Sequence, residues 1–174
     1  FQEIMNFTLS NIQKQFKMMQ IKEQNYIKIH KPKSLENEII RTWLIPGLLQ
    51  VLHLSKKELY PQNIFEIGKV ASIKNGLPIE NLNLGVMMIN SETGYAQIKS
   101  ILDSLTHILE LKSSITPVQH SSFIDGRVGK IMINNVNVGT IGEIDLQVLE
   151  NHQLEDPTVC FEIDLNILFN IKYK

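Results

Sequence analysis

This chain of 174 residues contains little arginine and little cysteine, and its net charge is close to zero. Only two of its 17 basic residues are arginine, Arg41 and Arg127, so a mechanism that needs an arginine has few candidates. The net charge of −1 provides no bulk attraction to nucleic acid or to an anionic membrane. The single cysteine, Cys160, has no partner for an internal disulfide and lies in a strand-like apolar run. We expect it to be a buried structural thiol in a reducing compartment.

Long hydrophobic runs are also missing. The longest candidate, WLIPGLLQVLHL, is followed by Lys56 and Lys57 and falls short of the roughly 18 residues that a membrane span needs. We therefore expect no membrane partner. The chain begins FQEIMNFTLS, without an initiator methionine or a signal peptide, which is typical of a piece of a longer polypeptide.

The periodicity of apolar residues predicts one α+β domain over residues 1–174. Hairpin-linked strands with helices to one side favour a mostly antiparallel sheet. Strands are predicted at residues 3–10, 25–32, 63–73, 82–90, 113–119 and 157–165, with a hairpin at 127–144. Helices are predicted at residues 11–19, 45–59, 94–111 and 145–154.

The segment SSFIDGRVGKIMINNVNVGTIGEID, residues 121–145, raises the question of a phosphate-binding loop. Gly139 and Gly142 lack the spacing and the lysine of a P-loop and the third glycine of a dinucleotide fingerprint. We interpret them as strand glycines that allow a bulge or a close backbone contact. Arg127 follows the turn at Asp125-Gly126, and we expect it to anchor a neighbouring loop rather than a ligand.

The other polar residues form no recognisable catalytic or metal motif. The five histidines lack metal-ligand spacing, and no nucleophile turn accompanies His120 and Asp125. Glu66, Glu143 and Glu162 lie in three apolar strands. They would line a cleft or form the solvated side of the sheet, and we favour the solvated side.

The predicted helix at residues 45–59 is apolar on nearly every side in its first half. Such a helix is fully buried or is covered by a partner, and we favour a subunit interface over central burial. On this hypothesis, aspartate at Leu48 or Leu52 would abolish assembly. The predicted interface residues are Arg41, Leu44, Ile45, Pro46, Leu48, Leu49 and Leu52.

Four segments in this order carry a resemblance to a known family. They are RTWLIPGLLQVL from Arg41, PQNIFEIGKV from Pro61, HSSFIDGRVGKIMINNVNVGTIGEIDLQVLENHQLEDP from His120, and the final FEIDL. The chain resembles the C-terminal synthetase-like domain of the phenylalanyl-tRNA synthetase beta subunit, of the archaeal and eukaryotic cytosolic type. The motif residues on which this fold would rest are Phe65, Glu66, Gly68, Phe123, Gly126, Arg127, Gly142 and Glu143.

The resemblance implies a class II aminoacyl-tRNA synthetase fold, in which an antiparallel sheet is flanked by helices. It implies a degenerate copy of the catalytic domain that supports an alpha subunit in a cytoplasmic heterotetramer. In that family the alpha subunit joins phenylalanine to its tRNA with ATP and Mg²⁺. We expect this domain to contact tRNA only as part of the whole enzyme.

The two arginines of the chain show whether this copy of the catalytic domain has kept an ATP-binding site. A class II site holds the ATP phosphates with one arginine in a Phe-Arg-x-Glu strand and another after a glycine motif. Here the strand reads Phe65-Glu66-Ile67-Gly68, and neither Arg41 nor Arg127 has the required context. We therefore expect no catalytic, cofactor or metal site in this domain and no activity of the domain alone.

Two other functions remain open at this stage. A free-standing class II synthetase paralogue would bind an amino acid or adenylate in an acidic cleft. A small tRNA-binding module would be recognised by a steep salt dependence of its RNA affinity.

Overall fold

The computed structural model of the protein describes residues 1–173 and contains nine strands and four α-helices. The strands are β1 (Gln2–Glu3), β2 (Leu9–Ser10), β3 (Ile39–Ile40), β4 (Gln62–Lys74), β5 (Leu77–Ile89), β6 (Ser113–Pro117), β7 (Phe123–Ile133), β8 (Val136–Ile144) and β9 (Thr158–Asp164). The helices are α1 (Ile45–Leu54), α2 (Tyr95–Ile108), α3 (Leu146–Asn151) and α4 (Leu165–Lys172). A π-helical turn, Gln13–Lys17, and a 3₁₀ turn, Leu35–Asn37, precede α1.

Seven strands form one sheet in the order β1-β4-β5-β9-β8-β7-β6. Only β1 pairs in parallel, with β4, and every other neighbouring pair is antiparallel. Strands β2 and β3 form a separate two-residue ladder. The predicted α+β class with a mostly antiparallel sheet is therefore confirmed.

Two tight turns build the long hairpins of this sheet. Asn75 and Gly76 connect β4 to β5 with φ of 52° and 77°. Asn134 and Asn135 connect β7 to β8 with φ of 50° and 62°. Asparagine and glycine tolerate this left-handed conformation, which matches the twist of the paired strands.

The helices cover both faces of the sheet, so the prediction that they lie to one side is wrong. Helices α1 and α3 pack with Ile64, Met87 and Cys160 on one face. Helices α2 and α4 pack with Val86 and Phe161 on the other. Both faces of the central strands are apolar for this reason, and β9 is buried through Ile163.

Helix α1 begins where expected but is shorter than the predicted range of 45–59. Pro46 occupies its first turn, where the missing N–H costs nothing. The helix ends at Leu54, and the Ser55 hydroxyl donates to the Val51 carbonyl oxygen at 2.8 Å. Gln62 also holds Ser55, since its side-chain amide donates to the Ser55 carbonyl oxygen at 2.9 Å.

Two predicted strands near the N-terminus are largely absent. Of residues 3–10, only the ends pair with other strands, and residues 25–32 contribute a single bridge from Lys28 to Ile39. In place of the helix predicted at residues 11–19, the structure has the π-helical turn Gln13–Lys17. After β9, helix α4 was not predicted at all.

Among residues 1–173, no helix has both the length and the apolar character to cross a bilayer.

Candidate functional site

The start of α1 is held over the middle of the sheet by a buried carboxylate. Glu162 Oε2, on β9, accepts hydrogen bonds from the Leu44 and Ile45 backbone N–H groups at 2.8 and 3.2 Å. A carboxylate is favourable here because the first N–H groups of a helix have no partner within the helix. Gly85 faces the same helix, and a Cβ there would lie 3.1 Å from the Leu44 and Leu48 side chains. The missing side chain thus allows α1 to approach the sheet.

Arg41 lies in the core beside this helix, and its guanidinium is held by partners within the chain. Its Nη1 donates to Glu66 Oε1 at 2.6 Å, and its Nε donates to the Lys69 carbonyl oxygen at 2.8 Å. Asn6 donates to both oxygens of Glu66 from its backbone and side chain. A Cβ at Gly68 would collide with the Arg41 guanidinium, so the glycine leaves room for that side chain.

Arg127 forms an ion pair with Glu143 of the adjacent strand β8. Its Nη1 donates to both carboxylate oxygens, at 2.8 and 3.0 Å. The Glu143 side chain is buried and that of Arg127 is exposed. The anchoring partner is thus a strand, where the sequence suggested a loop.

The prediction that Glu66, Glu143 and Glu162 form the solvated side of the sheet is wrong, because all three are buried. Glu66 and Glu162 share one face, since both pair with Gly85 across β5. Glu143 pairs with Val159, three residues from Glu162, and therefore lies on the opposite face. One cleft does not contain all three.

The glycines at 139 and 142 serve packing, as their interpretation required. A Cβ at Gly139 would collide with the Glu162 carbonyl oxygen of β9. A Cβ at Gly142 would collide with the Phe123 ring and lie 3.1 Å from the Arg127 carbonyl oxygen. The pairing of β7 with β8 also shifts register between Ile131 and Met132. Gly126 lies in the left-handed region with φ of 74°.

A cavity of about 270 Å³ opens beside the first residues of α1. Glu162, Asn83 and Asp164 contribute polar side chains to it, and Trp43 and His120 form part of its wall. Burial raises the pKa of Glu162 from 4.5 to about 7, against the opposing effects of its hydrogen bonds and of Arg41. The sequence analysis did not identify Asn83 or Trp43 as site residues. The available signal for Asn83 was a polar residue within an apolar strand, and the signal for Trp43 was that it is the chain's single tryptophan.

The predicted interface side chains lie inside the protein itself. Leu44, Leu48 and Leu49 are 0% exposed, and Ile45 and Leu52 are 1% exposed. Pro46 and Arg41 are buried as well. Packing of α1 on the sheet of its own domain therefore explains the apolar character of the helix, which the sequence analysis attributed to a subunit interface. These side chains are unavailable to a second chain in this fold, so aspartate at Leu48 or Leu52 would disrupt the core rather than report on assembly.

The exposed apolar residues near α1 lie in the preceding segment and at the end of the helix. Met5 and Phe7 are 90% exposed, Leu54 is 75% exposed, and Leu9 is half-exposed. These four residues, which we call the N-terminal apolar surface, line a groove of about 340 Å³ along α1. Large apolar patches on a folded domain mark sites of interaction. The alternating pattern of residues 4–8 could have identified it, but it was interpreted as a strand.

The remaining candidates behave as packing residues. Cys160 is fully buried, and its burial raises the pKa of its thiol well above 9.0. Burial also lowers the pKa of His120, whose Nδ1 accepts a hydrogen bond from the Ser122 N–H at 3.3 Å. Among the described residues, no group of three or more His, Cys, Asp or Glu side chains is arranged to hold a metal ion.

Comparison with known proteins gives one consistent result. The family model of the phenylalanyl tRNA synthetase beta chain CLM domain matches residues 1–165. The phenylalanine–tRNA ligase beta subunit of Pyrococcus abyssi is 42% identical over 171 residues, which cover 97% of this chain and 31% of that protein. The beta subunit of Methanocaldococcus jannaschii is 34% identical over 168 residues, covering 95% of this chain and 31% of that protein. The chain thus spans about a third of the length of these relatives, and it belongs to the phenylalanyl-tRNA synthetase beta chain CLM domain family.

Proposed function

We propose that this chain is a non-catalytic assembly domain of a phenylalanyl-tRNA synthetase beta subunit, with a degenerate class II synthetase fold. The antiparallel sheet with helices on both faces supports that fold. In this proposal residues 1–174 are one domain of a longer cytoplasmic subunit. The alpha subunit binds ATP, Mg²⁺ and phenylalanine, and tRNA is bound by the assembled heterotetramer.

The observation that carries the proposal is that both arginines are paired with carboxylates of this chain. Arg41 is buried against Glu66, and Arg127 is paired with Glu143. An ATP-binding site of this class needs arginines that face the triphosphate and stabilise its charge. Neither arginine is placed for this role, which argues against the free-standing paralogue.

The N-terminal apolar surface supports an assembly role. Burying side chains of the size of Met5, Phe7 and Leu54 contributes on the order of 1.5–3 kcal/mol each, before the costs of association. The groove beside them runs past Pro46 and Gly47, so the outer side of α1 adjoins this surface. We infer that the alpha subunit docks here, on the exposed side of the predicted helix rather than on its buried leucines.

A native-mass measurement tests this proposal. The full-length beta subunit is mixed with the alpha subunit from the same source, as wild type, as Phe7→Asp and as Leu77→Asp. Phe7→Asp places a charge on the docking surface and is expected to lose the complex. Leu77 is 68% exposed at the β4–β5 turn and serves as the matched control.

The outcome separates the possibilities directly. A complex with wild type and Leu77→Asp, but none with Phe7→Asp, supports docking at this surface. A complex that tolerates Phe7→Asp would place the interface elsewhere. If wild type forms no complex and this chain alone catalyses phenylalanine-dependent pyrophosphate exchange, the non-catalytic assignment is wrong.

A further inference from the structure

The charges of this chain are distributed unevenly, although its net charge is only −1. Residues 1–34 contain six lysines and two glutamates, which gives them a net charge of +4. Residues 35–174 contain 11 lysines and arginines and 16 aspartates and glutamates, a net charge of −5. The near-neutral total therefore includes a basic region, which the docking of the alpha subunit does not use.

The fold holds the second half of this basic region along the edge of β4 that faces away from β5. The Ile73 N–H donates to the Asn25 carbonyl oxygen at 2.8 Å, beside Lys74, the last residue of β4. Three residues after Asn25, a bridge from Lys28 to Ile39 joins the segment to β3. The backbone that carries these lysines is thus attached to the sheet.

Six exposed lysines belong to this part of the surface, which we call the basic edge. They are Lys17, Lys22, Lys28, Lys31, Lys33 and Lys74. The rings of Phe16 and Tyr26 lie with centroids 5.5 Å apart, which brings the π-helical turn with Lys17 next to the segment. Among residues 1–173, none of the six forms an ion pair, whereas four other lysines are paired with carboxylates.

Few carboxylates counter the charge of the basic edge. Glu36 and Glu38 follow the segment, and both accept hydrogen bonds from residues 11–14. Glu80 is paired with a lysine of its own hairpin. Within the segment itself, Glu23 is exposed and is its single acidic residue. One such glutamate among six lysines leaves the basic edge strongly positive, and a surface of this kind attracts polyanions.

We propose that the basic edge contacts the phosphate backbone of RNA, and this inference rests on the proposed function, in which that RNA is the tRNA bound by the assembled enzyme. A nucleic-acid backbone carries a charge on every phosphate, and separate lysines match such charges as point donors. The basic edge contains no arginine, so it lacks the planar donor fork that reads guanine. The contact therefore positions the RNA without reading its sequence.

The basic edge is separate from the surface on which we place the alpha subunit. None of its six lysines lines the groove of the N-terminal apolar surface. RNA binding and subunit assembly can therefore be tested independently in the same protein.

Fluorescence anisotropy of labelled tRNA tests the proposal on the assembled enzyme with the full-length beta subunit, across a series of NaCl concentrations. Lys22→Gln/Lys28→Gln removes two charges from the basic edge and keeps the side chains polar. We expect its Kd for tRNA to rise at least about fivefold at about 100 mM NaCl. The slope of log K against log salt is expected to become shallower by about 1 to 2.

Two further variants connect the effect to this surface. Lys112→Gln/Lys130→Gln removes the same charge from exposed positions at the β6–β7 end of the sheet, and it is expected to leave the Kd and the salt slope unchanged. Lys31→Gln/Lys33→Gln is expected to behave like the first basic-edge variant, which keeps the test available if that variant folds poorly. A tRNA for another amino acid is expected to show the same fold increase in Kd, because backbone contacts carry no sequence information.

Complex formation with the alpha subunit is recorded by native mass for every variant, so that the two proposals fail separately. Equal Kd values or salt slopes for the basic-edge and control variants would overturn the RNA contact. Loss of the complex in Lys22→Gln/Lys28→Gln would also overturn it, since the basic edge would then be a protein contact. If wild type forms no complex, the assembly proposal fails, and the same titration on the full-length beta subunit alone decides the RNA contact.

Discussion

At the scale of single residues, Glu162 connects the sheet to the start of α1 through two hydrogen bonds and accepts a third from Asn83 of β5. The sequence showed an acidic residue in an apolar strand but did not show what it faced. Its partners are about 80 to 118 positions away, and local periodicity carries no information about such contacts. For the same reason the sequence identified Arg41 and Glu66 as candidates but not as a pair.

The raised pKa of Glu162 predicts a pH-dependent stability. The folded-state pKa is about 7 against 4.5 in the unfolded chain, so between these values the folded state binds more protons. This contribution is present below pH 4.5 and is lost as the pH rises through 7. At about 1.4 kcal/mol for each unit of pKa, the loss is at most about 3.5 kcal/mol.

Urea unfolding of wild type and Glu162→Gln at several pH values between 5 and 8 measures this effect. The glutamine variant does not titrate at this position, so the difference in unfolding free energy is expected to move against wild type as the pH rises. Parallel pH profiles for the two proteins would show that Glu162 titrates near its ordinary pKa in the fold.

At the scale of elements, the hairpins and α2 were predictable because their signals are local. The turns at Asn75-Gly76 and Asn134-Asn135 have positive φ angles, and asparagine and glycine are the residue types that favour such hairpin turns. The β1 and β2 pairings are two residues long and depend on distant strands, so local alternation overstated both. Helix α4 had one usable signal, since Asp164 accepts from the Ile167 N–H as an N-cap.

The approach of β8 to β9 depends on Gly139. In Gly139→Ala the new methyl group would collide with the Glu162 carbonyl oxygen, a backbone atom that moves only with its strand. We expect a loss of more than about 2 kcal/mol in unfolding free energy. Gly94→Ala is the control, because its nearest neighbour would be the Gln97 side chain at 3.9 Å. Equal losses from the two substitutions in urea unfolding would contradict a special role for this strand contact.

At the scale of the whole molecule, the sequence predicted the class and the sheet but placed the helices on one side. Strand β9 pairs on both edges and is buried on both faces. Its continuous apolar run, broken by Glu162, was the available signal for two covering layers. The apolar helix α1 was likewise interpreted as an interface because sequence alone does not distinguish a domain core from a subunit contact.

The character of the N-terminal apolar surface predicts how assembly responds to salt. Met5, Phe7, Leu9 and Leu54 are uncharged, and the nearby Lys14–Glu36 pair at 2.7 Å is already satisfied within the chain. Salt screens exposed charges but does not weaken apolar contacts. On the proposal that the alpha subunit docks on this surface, the Kd of the full-length beta subunit for the alpha subunit is expected to change less than about threefold between 50 and 500 mM NaCl. A rise of tenfold or more in a sedimentation or calorimetric titration would assign the contact to charged groups instead, because electrostatic association weakens steeply with salt.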